Sequence, residues 1–144
     1  MNKTIKHLLS IASVCVMIIL AVASSNEDTI SKTEKPVQNV AAIQIFDDFK
    51  ENEIAAKEKY GKKIIAVRGI IASIESYDDG AKIRLNDGKP ENVAVNCYFN
   101  EDQLSSLKTL KKGDPVKVIG IGSESLFIDY DLRACRLGIL GIDD

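Results

Sequence analysis

Few side chains in this sequence could do chemistry. Of the three cysteines, Cys15 sits in an apolar N-terminal run, which leaves Cys97 and Cys135. The single histidine is His7, in the same N-terminal region. Nothing downstream can therefore supply Ser-His-Asp or Cys-His catalysis, imidazole acid–base chemistry or a histidine-bound zinc. Carboxylate, thiol, tyrosine and lysine chemistry remain. No Cys-x-x-Cys and no helix start beside either cysteine would lower a thiol pKa, which argues against a redox-active pair. The acidic pairs Asp78 with Asp79 and Asp129 with Asp131 lack the ligand count of a calcium loop and read as turn and surface residues. No metal and no cofactor is expected.

The compartment is read from the N-terminus. Met1 to His7 is short and basic, Leu8 to Ala23 is almost wholly apolar, and Ala21-Val22-Ala23 offers the small residues that a signal peptidase needs, with cleavage after Ala23. Residues 1–23 thus read as a secretory signal or, uncleaved, as a single membrane anchor. As a helix the apolar run would span roughly 24 Å, slightly short of the hydrocarbon thickness of about 30 Å. Lipidation at Cys15 is disfavoured because Val14 stands where a small residue is wanted. Residues 24–41 are polar, alternate Lys with Glu and show no apolar period, so a flexible tether is expected before a domain at 42–144. With Lys3 and Lys6 set aside, 17 basic face 21 acidic residues, a net of −4. A nucleic-acid binder normally presents a basic surface, so this balance weighs against such a partner without removing it.

The domain opens with Ile45, Phe49, Ala56 and Tyr60 at helical spacing, and Gly61 is expected to close one amphipathic helix in the left-handed conformation. Ile64 to Ile74 is β-branched and broken by Gly69, as a strand bent to close a small barrel would be. Tyr77-Asp78-Asp79-Gly80 and Asn86-Asp87-Gly88-Lys89 are hairpin signals on either side of Ala81 to Asn86, in which Ile83 and Leu85 face in and Lys82 and Arg84 face out. The third strand, Asn92 to Phe99, sets Val93, Val95, Cys97 and Phe99 on one face and Asn96 and Tyr98 on the other. A short helix over Glu101 to Leu110 follows. A fourth strand from Val116 is expected to end at Gly120 and Gly122, and a fifth lies between Leu126 and Leu137. A mainly β domain with a helix between strands three and four is the arrangement of the five-stranded OB barrel.

With these residues in order, the domain resembles the tRNA-anticodon-binding-like OB-fold family of bacterial envelope proteins. The matching stretches are Asn52-Glu53-Ile54-Ala55-Ala56, Tyr60-Gly61-Lys62, Gly69 with Ile74, Asn96-Cys97-Tyr98-Phe99, Leu110-Lys111-Lys112-Gly113-Asp114 with Val116 and Gly120, and Leu132 to Cys135. They span roughly residues 43–140. The resemblance implies the fold and an envelope location, with no established activity, and Leu137 to Asp144 forms a tail outside the pattern.

In an OB barrel strands three and five are neighbours, and an exported cysteine pair is a disulfide candidate, so a bond between Cys97 and Cys135 is expected, with two buried free thiols as the alternative. Closing that loop would stabilise the fold by roughly 4 kcal/mol in the chain-entropy picture. Lys82, Arg84, Asn96, Tyr98 and Arg133 would line the outer face where such barrels bind ligands, Tyr98 stacking on a base or sugar and the cations meeting phosphates; their plainer role is as the solvated side of half-buried strands. The expected function is a non-enzymatic binding module of the cell envelope, taking a protein, an oligosaccharide or a small anionic partner, with membrane contact only through residues 8–23. Single-stranded nucleic acid is the rival ligand, disfavoured by charge and by the four tyrosines without a tryptophan.

Overall fold

The computed structural model of the protein describes residues 30–89, 95–126 and 128–141. The expected signal with its cleavage point at Ala23, the first six residues of the polar tether, Val93 and the last three residues lie outside them. Strand β1 (Asn39–Ala41) leads directly into helices α1 (Ala42–Glu51) and α2 (Glu53–Tyr60). Then come β2 (Ile64–Tyr77), β3 (Gly80–Asn86), β4 (Val95–Phe99), a 3-10 turn (Glu101–Gln103) running into α3 (Leu104–Leu107), β5 (Pro115–Leu126) and β6 (Tyr130–Leu137). The strands close in the order β2-β3-β4-β6-β5 and back to β2, and β1 adds a parallel strand outside the ring. Residues 39–41, at the end of the polar stretch, are thus part of the sheet.

Closure depends on β2, which is long enough to serve two partners. Ile64 to Ile70 pair with Ile121 to Pro115 of β5, and Ile70 to Tyr77 pair with Asn86 to Gly80 of β3. At Gly69, next to the change of partner, a Cβ would stand 3.0 Å from both the Asn86 carbonyl oxygen and Leu85 Cβ, so the glycine permits close approach of two strands, and the pairing with β3 is irregular between Ile71 and Ser73. Strands β4 and β6 run parallel, Cys97 opposite Leu132. The alternation read from the sequence holds: Ile83, Leu85, Val95, Cys97 and Phe99 are buried, as are Ile65, Val67, Val118 and Leu132 from the other strands.

Where one helix was expected there are two. Asn52 leaves helical geometry at φ −155°, its N–H still bonds back to the Asp48 carbonyl, and its side chain caps the next helix by accepting from the Ala55 N–H at 3.1 Å. A side chain that competes for backbone bonds is favoured at such a junction over a helix interior. Gly61 is not left-handed, having φ −62°; the positive φ falls on Lys62. Gly61 is needed instead for space, since a Cβ there would meet the Lys57 carbonyl at 2.7 Å. Likewise Gly120 and Gly122 do not end β5, which continues to Leu126. A Cβ on Gly120 would lie 2.8 Å from Cys135 Sγ, and one on Gly122 would lie 2.3 Å from the Tyr60 carbonyl oxygen. The helix after β4 is shorter than expected, with Leu107 buried and Leu104 and Leu110 packed against the core.

The two N-terminal helices are fastened to the barrel by an aromatic triangle. Phe49, Tyr60 and Tyr130 have ring centroids 5.3 to 6.4 Å apart, and Tyr130 donates to the Ser123 carbonyl. Asp48 joins α1 to α2 by accepting from Gln44 at 2.7 Å, from Lys59 at 2.6 Å and from the Tyr60 hydroxyl. Burial alone would raise the Asp48 carboxyl, but the hydrogen bonds from Lys59, Tyr60 and Gln44 outweigh it and leave the group below its ordinary value of 3.8.

A carboxyl whose folded pKa is depressed stabilises the fold fully above its unfolded pKa and loses that contribution as the pH falls through the folded value. The expected outcome is therefore that the melting temperature of the protein drops on acidification below about pH 4. Asp48→Asn should be less stable near neutrality by about 1 to 3 kcal/mol, since the buried Tyr60 hydroxyl loses a charged acceptor, and should show a shallower acid limb. Thermal melts of both proteins between neutral and acidic pH check it.

Candidate functional site

Two tyrosines meet on one side of the barrel, Tyr77 exposed and Tyr98 half-buried. Tyr77 ends β2 and is 48% exposed; Tyr98, in β4, packs its ring against Tyr77 edge-on, with centroids 4.9 Å apart at 62°. Their meeting depends on the hairpin between β2 and β3. Asp78 adopts φ 47°, which closes a two-residue turn and pairs Tyr77 with Gly80. Gly80 passes so near β4 that a Cβ would fall 2.0 Å from the Phe99 carbonyl oxygen, so only glycine fits there. Alternation then carries Tyr98 outward between the buried Cys97 and Phe99.

The pair borders an open cleft of about 1060 Å³. Its walls are the Asp78-Asp79 turn, the end of β4 with Asn100, Glu101 and Asp102, Gly122 to Glu124 of β5, Asp131 to Ala134 of β6, and Lys62 from the α2–β2 junction. Six carboxylates thus face two cations. Lys62 pairs with Glu124 at 2.9 Å, and both side chains are mostly exposed, at 72% and 59%. Burial, and then the nearby Asp131 and Tyr77, raise the Tyr98 phenol, which stays neutral and keeps its proton to donate.

The residues expected at a binding face divide into two groups. Tyr98 and Arg133 line the cleft. Lys82, Arg84 and Asn96 lie beside it, each engaged within the domain: Lys82 with Glu75 at 3.0 Å, Arg84 with Asp129 at 3.1 Å, and Asn96 donating to Asp131 at 3.0 Å. The hydrogen bond from Ser73, together with Lys82, holds the Glu75 carboxyl below its ordinary range. Reading by strand alternation missed Tyr77, the Asp78-Asp79 turn, the Glu101-Asp102 turn and Glu124. The one available signal was an aromatic residue placed at the mouth of a hairpin.

Cys97 and Cys135 are both buried and stand as free thiols. The Cys135 thiol donates to the Leu132 carbonyl at 3.4 Å, and burial, with Cys97 beside it, pushes that thiol well above its ordinary value. Among the described residues no His, Cys, Asp or Glu group is placed to hold a metal ion, and no helix is long and apolar enough to cross a membrane.

The tRNA_anti-like family model matches residues 1–136. The chain belongs to the tRNA_anti-like family. A crystal structure from Klebsiella pneumoniae, described provisionally as a nucleic acid-binding lipoprotein, shares the fold at a TM-score of 0.59 and 16% identity, covering 71% of this chain and 92% of that one. The replication factor A related protein of Methanobacterium thermoautotrophicum is more distant, at a TM-score of 0.45 and 12% identity over 59% of this chain and 87% of its own. Among curated proteins none matches the sequence. Family membership and the closed barrel together establish the OB fold and a binding-module architecture.

The two neighbours Tyr98 and Phe99 separate site from core. Tyr98→Ala should lower stability by less than about 1 kcal/mol, whereas Phe99→Ala, in the buried cluster, should cost about 3 to 5. Denaturant unfolding of the two variants checks it, and reversed magnitudes would place Tyr98 inside the core.

Proposed function

We propose that the protein is a non-enzymatic binding module of the bacterial cell envelope, exported or anchored through residues 1–23, and that its working face is the cleft at Tyr77 and Tyr98. The observation that carries this reading is the aromatic pair lining an open cleft, Tyr77 exposed and Tyr98 half-buried, on a fold whose family is built for binding. A neutral phenol beside an exposed ring offers a stacking surface with a hydrogen-bond donor. The description of the Klebsiella pneumoniae structure as a lipoprotein supports the envelope location. The same description, and the name of the family, favour single-stranded nucleic acid as the second reading, but a phosphate backbone would meet six carboxylates here.

Two experiments test the parts separately. Titrated with a labelled single-stranded oligonucleotide, the exported protein should show no binding that weakens steeply with salt; such binding would establish the second reading instead. The expected disulfide is tested through the thiols. In an oxidising compartment Cys97 and Cys135 form a disulfide by exchange with an oxidised dithiol catalyst, the two thiols giving up two protons and two electrons and the catalyst's disulfide becoming two thiols. Protein from the envelope fraction, unfolded and alkylated without reductant, should carry no label on either residue and two labels after reduction. Two labels without reductant would overturn the disulfide.

A further inference from the structure

The chemistry of the cleft says more than that it binds. We propose that its occupant is an extended, basic segment of a partner protein, with a lysine or arginine head group held at the Tyr77–Tyr98 pair. This inference rests on the cleft being the working face.

The aromatic pair comes first. Tyr77, exposed and packed edge-on with Tyr98, lines the cleft, and a tyrosine ring face attracts an ammonium or guanidinium group. Stacking of a nucleobase or sugar would use the same face, so the surrounding charge decides between them. That charge is negative on several walls: Asp78 and Asp79 at the hairpin, Glu101 and Asp102 at the turn after β4, Asp131 on β6. A nucleic acid or an acidic glycan would bring its own charge against them, whereas a basic chain finds complementary charge on most walls, opposed only by Lys62 and Arg133.

The distribution of the carboxylates fixes the kind of cation. They come from separate elements and do not converge, and no group of three among the described residues could hold a metal ion. One small cation would leave most of the walls unused. The cleft, at about 1060 Å³, is also at the upper end of the range for small-molecule pockets. Several positive charges spaced along one chain fit both facts. Lys62 shows how such a charge is received: it reaches Glu124 at 2.9 Å from an exposed position, a pairing weak enough in water to be exchanged for a partner's lysine.

The test uses the full chain, in detergent if the N-terminal segment is retained, and fluorescence anisotropy of labelled probes: a lysine- and arginine-rich peptide of about eight residues, its acidic counterpart, spermidine as competitor, and a single-stranded oligonucleotide. The basic peptide should bind saturably, and Tyr77→Ala and the double variant Asp78→Asn with Asp79→Asn should each weaken it by about tenfold or more. Asn tolerates the positive φ of Asp78, and unchanged thermal melts confirm that these variants fold. Glu53→Gln, which removes a charge far along the chain on α2, should leave binding unchanged; an equal loss there would reduce the effect to net charge and overturn the inference. Spermidine displacing the peptide at equal concentration would overturn the peptide as occupant. Binding of the acidic peptide or the oligonucleotide, weakened by Tyr77→Ala, would overturn the cationic occupant while leaving the cleft as the working face. Binding of any probe that is insensitive to Tyr77→Ala and to the aspartate pair would remove the cleft itself.

Discussion

Strand β2 is hydrogen-bonded to three partners along its fourteen residues: β1 and β5 flank its first half, and β3 takes over at Ile70. Next to the change of partner, Gly69 lets the backbone of β3 come close, and the pairing with β3 is irregular between Ile71 and Ser73. Closure pairs the strands of the ring on both sides, as an open sheet cannot, and carries the far end of β2 to the hairpin with β3. The Tyr77 to Gly80 hairpin and the cleft wall beyond it therefore depend on the same strand that completes the barrel.

The helices answer a second need. A small barrel leaves its ends to be covered, and here the Phe49, Tyr60 and Tyr130 rings cover one region while Leu107 and its neighbours pack elsewhere against the same core. Two helices joined at Asn52 suit this better than one straight helix, because the break lets Phe49 and Tyr60 reach the same strand residue. Asp48 then ties the two segments together by accepting from Lys59 and Tyr60, and Gly122 makes room for the Tyr60 backbone on β5. Sheet and helices are thus fitted by backbone contacts that exclude even a methyl group.

The cleft differs from what the fold's reputation suggests. On the neighbouring strand faces the cations Lys82 and Arg84 are matched by Glu75 and Asp129, while in the cleft carboxylates outnumber cations. The domain's net negative charge is therefore not spread evenly; part of it is gathered where Tyr77 and Tyr98 line the cleft. Electrostatics of this kind sets which partner approaches, while the aromatic surface supplies contact area.

What the sequence determined by itself was everything governed by near neighbours along the chain. Alternation of period two placed Ile83, Leu85, Val95, Cys97 and Phe99 inside and Tyr98 outside, because successive side chains of a strand point to opposite faces. The order of strands and helices, with Gly69 in the first long strand, was enough for the barrel. Tertiary structure alone decided what depends on distant residues. The strand continues through Gly120 and Gly122 because Cys135 and Tyr60 occupy the space a Cβ would need, and neither is close in sequence. Lys82, Arg84 and Asn96 share the outward pattern of Tyr98, yet they are tied to carboxylates on β2 and around β6 whose position only the pairing register reveals. The cleft itself is assembled from five stretches between residues 62 and 134, so its charge could not be read from any one of them. Local periodicity carries the direction of a side chain; which other side chains it meets is a property of chain closure.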